Sequence, residues 1–198
     1  MRLVVAITGA TGAVLGIRLL EALDRLDVET HLVVSRWART TISEETGYAV
    51  SEVTALASTA YRPEDQAAPI SSGSFRCDGM VVAPCSMKTL AGIRHGYSDD
   101  LIARAADVTL KERRRLVLLT REMPLSAVHL ENMLGVTTMG AVVLPPTPAF
   151  YNRPSSLEDI VTHVVARTLD QFDLSLPAAR RWAGMGRRSA ATHEITEP

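Results

Sequence analysis

The amino-acid sequence predicts an α/β fold in which one doubly wound parallel sheet lies between two layers of helices, in a single domain. Short apolar runs alternate along the chain with segments of helical periodicity, as in parallel strands joined by crossover helices. The apolar runs are rich in Val and Leu and lack polar alternation, which is typical of strands buried on both faces. A length of 198 residues fits one continuous core.

The predicted elements alternate in chain order. Strands are expected at Leu3–Thr8, Thr30–Ser35, Gly79–Ala83, Leu116–Thr120 and Ala141–Pro145. Helices are expected at Gly12–Leu26, Arg36–Thr46, Lys88–His95, Leu101–Arg114, Leu125–Leu134 and Ser156–Leu174. Gly47 stops the second helix, Pro124 suits the first turn of the fifth, and the last carries an apolar stripe from Ile160 to Phe172. The pattern favours a three-layer sandwich of the Rossmann-like or flavodoxin-like kind, with a flavodoxin-like strand order.

Two segments fall outside this alternation. Residues 55–76 are rich in loop formers, with Pro63, Pro69 and a serine-glycine run, and such long insertions are usually functional or form subunit contacts. From Gly184 onward there is little to bury. We therefore expect a ligand-binding domain at 1–183 and a mobile tail at 184–198.

Composition excludes several classes of function. A formal net charge of −1 gives no basis for nucleic-acid binding, and the basic run Arg113–Arg115 suits a solvated helix end. No apolar run is long enough to span a bilayer, and no tripartite leader is recognisable before the first strand. The two cysteines, Cys77 and Cys85, match neither a disulfide framework nor a zinc pattern, which favours a cytoplasmic location.

Polar residues follow each predicted strand, where ligands bind in sheets of this kind. The segments are Thr8-Gly9-Ala10-Thr11-Gly12, Ser35-Arg36, Pro84-Cys85-Ser86-Met87-Lys88-Thr89, Arg121-Glu122 and the run from Pro145 to Tyr151. The first turn suits an anion at a helix N-terminus. It lacks the G-x-G start, and Ser35-Arg36 replaces a ribose-binding acid, so it favours a mononucleotide over NAD.

The remaining rim residues admit two interpretations each. Ser86, Lys88 and Thr89 suit a phosphate or the polar edge of a flavin, although Ser86 also suits a helix cap. Arg121 and Glu122 fit phosphate-ester chemistry and a surface ion pair equally well. Cys85 is more typical of a small core residue than of a nucleophile, because no base accompanies it. The histidines show no metal-ligand spacing and no D-D-x-x-D motif is present, so no metal site is expected.

Several motifs together resemble the flavin prenyltransferases (UbiX-like enzymes), over about residues 3–183. They are Ser71-Ser72-Gly73-Ser74-Phe75, Pro84-Cys85-Ser86-Met87-Lys88-Thr89, Arg104-Ala105-Ala106-Asp107-Val108, Leu110-Lys111-Glu112-Arg113, Arg121-Glu122-Met123-Pro124-Leu125, His129-Leu130-Glu131-Asn132-Met133 and Pro145-Pro146-Thr147-Pro148-Ala149-Phe150-Tyr151. Thr11 stands where serine is commoner in the family, and Met123 where threonine or alanine often occurs.

The resemblance implies transfer of a dimethylallyl group from dimethylallyl monophosphate to N5 and C6 of reduced FMN, giving prenylated FMN for a UbiD-like decarboxylase. It implies FMN held by Gly9, Ala10, Thr11, Ser35, Ser86, Met87, Lys88, Thr89 and Arg121. Lys111, Tyr151 and Arg167 would hold the dimethylallyl phosphate. Glu45 and Glu122 would handle protons, and Trp182 would lie near the prenyl group.

Lys111 and Arg167 lie on predicted helices, and the sequence offers no way to bring both to the rim. We therefore expect sites shared between subunits, in line with the dodecamers usual in this family. Two rivals remain. An FMN-dependent peptidyl- or pantothenoyl-cysteine decarboxylase shares the fold, but its PASANT-like and PxMNxxMW-like segments are missing here. An FMN-binding accessory subunit of a hydroxyaryl acid decarboxylase is the second.

Overall fold

A six-stranded parallel sheet forms the centre of the fold. The structure, a computed structural model, describes residues 1–177, 179, 181, 182 and 184. The strands are β1 (Arg2–Ile7), β2 (Glu29–Val34), β3 (Thr59–Tyr61), β4 (Gly79–Cys85), β5 (Arg115–Thr120) and β6 (Val142–Val143). Strands β1, β2, β4 and β5 are almost wholly buried, as their unbroken apolar runs require.

The helices cover both faces of this sheet. They are α1 (Ala13–Arg25), α2 (Arg36–Glu45), α3 (Val50–Ala55), α4 (Met87–His95), α5 (Leu101–Lys111), α6 (Ala127–Thr138) and α7 (Leu157–Leu169). Leu3, Val5 and Ile7 of β1 face one apolar cluster, which includes residues of α1, α2 and α7. Val4 and Ala6 face the other, which includes residues of α4, α5 and α6. The alternation along one strand therefore creates the two cores of a doubly wound sheet.

The strand order is β3-β2-β1-β4-β5-β6. The sequence predicts all of these strands except β3. When β3 is left out and the other five are renumbered in chain order, they lie in the order 2-1-3-4-5, so the predicted flavodoxin-like order is confirmed for them. The additional edge strand β3 extends this order to the 3-2-1-4-5-6 of a dinucleotide-binding fold. In both descriptions the order reverses between β1 and β4, which places the ligand-binding crevice there.

Several predicted boundaries are wrong. The fifth helix begins after Ser126, whose Oγ accepts a hydrogen bond from the His129 amide at 3.3 Å, so Pro124 precedes the helix. The last helix ends at Leu169, not Leu174, and passes into a 3₁₀ turn. The last strand has only two residues, Val142–Val143. The sequence prediction also lacks α3 and β3, which lie in and beside the loop-rich stretch.

The basic run after α5 has a structural role that the sequence prediction missed. The helix ends at Lys111, and Arg113 turns the chain with a φ of 57°. Arg114 then donates hydrogen bonds of 2.8 Å to the carbonyls of Gly73 and Phe75. The interpretation of this cluster as a solvated helix end is therefore wrong for Arg114, which anchors the serine-containing loop 71–75.

No helix in the described part of the chain is long and apolar enough to cross a membrane. The predicted mobile tail, residues 184–198, lies outside the described residues except for Gly184. The proposed 1–183 boundary stays a prediction.

Candidate functional site

A cleft of about 400 Å³ opens at the carboxyl ends of β1, β2 and β4. Residues from three predicted rim segments line it: Gly9, Ser35, Ser86, Lys88 and Thr89. Arg36, from the predicted rim segment Ser35-Arg36, lines it as well. Residues outside the predicted rim segments complete the wall: Trp37, Pro63, Glu64, Asp99 and Asp100. The cleft therefore lies where the strand order reverses, as the fold requires.

Two helix N-termini open into this cleft. Ser35 Oγ accepts from the Ala38 amide at 3.2 Å and caps α2, whereas Ser86 Oγ accepts from the Thr89 amide at 3.3 Å and caps α4. The capping role considered for Ser86 is thus confirmed. Helix N-termini attract anions through their free amides and their dipole. The two N-termini, with Arg36 beside them, make this wall suitable for a phosphate group, whereas Lys88 is paired with Asp99 at 3.7 Å.

The N-terminus of α1 is capped by a carboxylate, whereas those of α2 and α4 are capped by serine hydroxyls. Glu45 Oε2 accepts hydrogen bonds from the amides of Gly12 at 2.8 Å and Ala13 at 3.1 Å. The chain's own carboxylate thus occupies the anion position predicted for the first turn, and an incoming phosphate would have to displace it. Thr11 is exposed beside this contact and Ala10 is half-buried.

Gly9 allows a close approach between the first turn and α2. A Cβ at this position would lie 2.5 Å from the Cβ of Trp37. Trp37 itself is 71% exposed and forms part of the cleft wall. Trp37 comes three residues after the end of β2, and a tryptophan so close to a strand end is a signal that the sequence prediction did not include. A planar aromatic wall beside an anion-binding corner suits a mononucleotide that carries a flat ring system.

The carboxyl end of β4 is fixed by Thr8, the residue that follows β1. Thr8 Oγ1 donates to the Pro84 carbonyl at 2.7 Å and accepts from the Ser86 amide at 2.8 Å. Thr8 is only 1% exposed. One buried hydroxyl therefore sets the spacing between the two loops, around Gly9 and Ser86, that border the cleft.

Residues on both sides of Ser86 point into the protein. Cys85 is fully buried, and burial raises the pKa of its thiol to about 12, so its assignment as a core residue is confirmed. Met87 is half-buried and packs against the apolar cluster beneath α4. Lys88 extends outward and pairs with Asp99 at 3.7 Å. Of the predicted Ser86–Thr89 group, the structure places Ser86, Lys88 and Thr89 on the cleft surface.

Arg121 and Glu122 lie next to this cleft at the carboxyl end of β5. The Arg121 amide donates to the Cys85 carbonyl at 3.1 Å, and its side chain is half-buried. Glu122 is exposed, and its Oε1 accepts from the Met123 amide at 3.0 Å. Glu122 therefore lies on the open surface of this edge in the described part of the chain.

A second cleft, of about 250 Å³, lies along the C-terminal half of α7. It contains Tyr151, Arg167 and Trp182 among its lining residues. The rings of Tyr151 and Trp182 meet edge to face, with centroids 5.7 Å apart. The structure thus brings together three of the residues that the family resemblance assigns to the allylic substrate, two of them aromatic and one cationic.

Lys111 lies apart from both clefts. It ends α5 and forms an ion pair with Glu112, whose pKa the hydrogen bond and charge of Lys111 lower. A Cβ at Gly73 would lie 2.6 Å from Lys111 Nζ, so Lys111 packs against the serine-containing loop. Lys111 precedes β5 directly and therefore lies at the amino edge of the sheet.

One chain does not assemble the predicted site. Phe172, just after α7, packs against Gly79 at the start of β4, so the C-terminal end of α7, like Lys111, lies toward the amino edge. The first cleft lies at the carboxyl edge, and a strand as long as β4 separates the two edges by about 20 Å. The structure groups Gly9, Ser35, Ser86, Lys88 and Thr89 in one place, Tyr151, Arg167 and Trp182 in a second, and Lys111 in a third.

In the described part of the chain, no cluster of three or more His, Cys, Asp or Glu side chains could hold a metal ion. His31 is instead a packed residue, with its ring nitrogens 2.8 Å from Tyr61 Oη and 3.0 Å from Glu29 Oε1.

The fold and the first cleft define an α/β protein of the mononucleotide-binding class. A family model described as Flavoprotein matches residues 1–169. A protein of Streptomyces sp. (strain D7), described as a probable UbiX-like flavin prenyltransferase, is 68% identical over 196 residues, which cover 98% of each chain. This chain belongs to the flavoprotein family and, within it, to the UbiX-like flavin prenyltransferases.

Two solved structures are closely similar. One is a dodecameric FMN-dependent UbiX-like decarboxylase from Escherichia coli O157:H7, 64% identical, with a TM-score of 0.92 and coverage of 93% of this chain and 100% of that one. The other is AnUbiX (PadA1) in complex with FMN and dimethylallyl pyrophosphate, 61% identical, with a TM-score of 0.92 and coverage of 92% and 97%. The predicted α/β fold and the family resemblance are thereby confirmed.

Proposed function

We propose that this protein transfers a dimethylallyl group from dimethylallyl monophosphate to N5 and C6 of reduced FMN. The observation that carries the proposal is the cleft at the carboxyl edge, where two capped helix N-termini, two cations and an aromatic wall converge. Family membership supports it, as does the solved relative in complex with FMN and dimethylallyl pyrophosphate.

FMN fits the first cleft by its chemistry. Ser35, Ser86 and Lys88 would hold its polar groups, and the absence of a side chain at Gly9 leaves room for the cleft wall formed by Trp37. Arg121, at the neighbouring strand end, adds a cation on the same edge. When bound and reduced, FMN supplies the nucleophilic nitrogen of the reaction.

The leaving phosphate needs cations that act as its negative charge grows. Lys111, Arg167 and the Tyr151 hydroxyl would stabilise that charge, which is the electrostatic part of catalysis. Glu122 would deliver or relay a proton to the departing phosphate. The indole face of Trp182 would stabilise the allylic cation, and the enclosed site would keep out the water that traps it.

We propose that these groups meet only between subunits. Helix α6 and the loop before it expose a group of large apolar side chains, Val128, Leu130 and Leu134 on the helix and Leu125 in the loop. A patch of this kind indicates a covered surface in the assembled protein. A dodecamer, as in the relative from E. coli O157:H7, would cover it and would bring Lys111 and Arg167 of neighbouring copies to the FMN cleft.

The role of Glu45 follows from its contacts. Its carboxylate caps α1 next to the FMN-binding turn, so a part in proton handling would require it to leave the Gly12 and Ala13 amides. We propose that this occurs when FMN orders the first turn. Glu44→Gln is a matched control for Glu45→Gln, because Glu44 is the exposed neighbour on the same helix.

The product would serve a UbiD-like decarboxylase. We propose a cytoplasmic location for this step, in agreement with the free thiols of Cys77 and Cys85.

The test is an anaerobic incubation of the protein with reduced FMN and either dimethylallyl monophosphate or the diphosphate, with EDTA and separately with Mg²⁺. Mass spectrometry of the extracted flavin should detect addition of one five-carbon unit from the monophosphate in EDTA, and Glu122→Gln should abolish it. Glu45→Gln should lower the yield, and its control Glu44→Gln should retain it. Unmodified FMN from folded, flavin-loaded protein would contradict the proposal and favour an FMN-binding accessory subunit of a hydroxyaryl acid decarboxylase.

A further inference from the structure

Asp170 joins two arginines at the second cleft. Its Oδ2 accepts a hydrogen bond of 2.6 Å from Arg167 Nη1. It also accepts bonds of 2.6 Å at Oδ1 and 3.2 Å at Oδ2 from the two terminal nitrogens of Arg181. Only 16% of the Asp170 side chain is exposed, whereas each arginine side chain is about half exposed. The carboxylate is thus held inside the cleft wall while the guanidinium groups reach its surface.

The charge balance of this group favours an anion. Burial raises the pKa of Asp170, but its hydrogen bonds and charge interactions with Arg181 and Arg167 outweigh burial and hold the pKa below its ordinary value. Asp170 is therefore ionised at neutral pH, and its negative charge offsets only one of the two cations. The cleft therefore keeps a net positive charge. Because both guanidinium groups are bonded to Asp170, neither is left unpaired.

Asp170 also fixes the segment that carries Trp182. Arg181 immediately precedes Trp182, and the two-bond contact of Arg181 with Asp170 restrains the backbone at this point. The Trp182 indole then meets the Tyr151 ring at an interplanar angle of 80°. Tyr151 is in turn packed edge to face against His163 of α7, with centroids 6.0 Å apart. One carboxylate therefore sets the positions of a cation and an aromatic ring that both line the cleft.

We propose that Asp170 is a positioning residue for the allylic substrate, which aligns Arg167 with the phosphate and, through Arg181, places Trp182 over the prenyl group. This inference rests on the proposed function, because it takes the second cleft as the place where the allylic phosphate binds. It adds two residues, Asp170 and Arg181, to the site. It also gives a physical reason why Arg167 and Trp182 act together, because both depend on the Asp170 carboxylate.

A merely structural ion pair would behave differently. Exposed pairs contribute little to stability. If this group were only such a pair, its loss would leave ligand binding unchanged. Here the carboxylate is mostly buried and bonded in two directions, so its loss should leave Arg167 and the Trp182 segment free to move. Substrate affinity should then fall more than stability does.

The experiment compares Asp170→Asn and Arg181→Gln with Asp173→Asn as a matched control. Asp173 is exposed in the same turn, and Asn tolerates its positive φ of 57°. We expect Asp170→Asn and Arg181→Gln to raise the KM for dimethylallyl monophosphate about tenfold, with a smaller change in kcat and unchanged FMN affinity. The control should match wild type. Arg181 lies on the surface, so its replacement tests the proposal even if Asp170→Asn folds poorly.

A second readout follows Trp182 directly. In a Trp37→Phe background Trp182 is the sole tryptophan, and Asp170→Asn should increase quenching of its fluorescence by acrylamide. Wild-type KM in both variants, with wild type forming prenylated FMN, would overturn this inference alone. A wild-type protein that forms no prenylated FMN would overturn the proposed function as well.

Discussion

Replacing Thr8 by Val tests whether one buried hydroxyl aligns the two loops, around Gly9 and Ser86, that border the first cleft. Val keeps the shape of Thr but removes the bonds to the Pro84 carbonyl and from the Ser86 amide. The Pro84 carbonyl retains the Thr8 amide at 3.2 Å, so only the Ser86 amide is left without its partner. One lost hydrogen bond and one unsatisfied, partly buried donor together cost about 2 kcal/mol. For a domain of this size that corresponds to a fall in Tm of about 6 °C.

The assay combines thermal unfolding with FMN titration well below Tm. Thr8→Ser is the control, because it keeps the hydroxyl and loses one buried methyl group, worth about 0.8 kcal/mol. We expect Thr8→Val to be the less stable of the two and to bind FMN more weakly, since Ser86 begins the helix that borders the cleft. Equal stability in both variants together with wild-type FMN affinity in Thr8→Val would refute this reasoning.

Three further predictions concern packing, thiol reactivity and pH. Gly16→Ala should destabilise the fold by about 1–3 kcal/mol in urea unfolding, because its Cβ would overlap the Ala83 carbonyl oxygen; wild-type stability would contradict this prediction. At pH 8 a disulfide reagent should titrate the half-buried Cys77 but not Cys85, whose pKa is about 12, until the chain is unfolded. Burial raises the pKa of Glu21, but hydrogen bonds from an arginine and a tyrosine outweigh it and lower that pKa. The ionised Glu21 therefore stabilises the fold above its ordinary pKa of 4.5, and this contribution is lost as pH falls through the lower folded value. Unfolding of Glu21→Gln should accordingly depend less on pH below 4.5, and an unchanged pH dependence would contradict this assignment.

The strongly apolar elements could be predicted from sequence, and the weakly apolar ones could not. Strands β1, β2, β4 and β5 are buried on both faces, so their runs of Val and Leu are unambiguous. Strand β3 has only three residues, two of them exposed, and pairs solely with β2 at the sheet edge. Its strand character comes from that pairing rather than from its own composition, so a local pattern gives no indication of it.

The site residues also divide into some that could be predicted from sequence and some that could not. The residues that follow strands, such as Ser35 and Ser86, were predictable because all parallel strands end at one edge. Glu45 was expected to handle protons, yet its contact with Gly12 depends on how α2 returns toward the first turn, which no local pattern reports. Trp37 and Asp170 were missed for a related reason, because their roles arise from neighbours distant in sequence or across a cleft.

We propose that each active site draws Arg121 from one subunit and Lys111 from a neighbouring subunit. The direct test mixes two inactive variants, Lys111→Ala and Arg121→Ala, by unfolding and refolding them together and then measuring prenylated FMN by mass spectrometry. A shared site predicts recovery of about a quarter of wild-type activity, because random assembly leaves that fraction of sites with both residues intact. The double variant refolded alone should stay inactive. A mixture no more active than its separate components would contradict the claim.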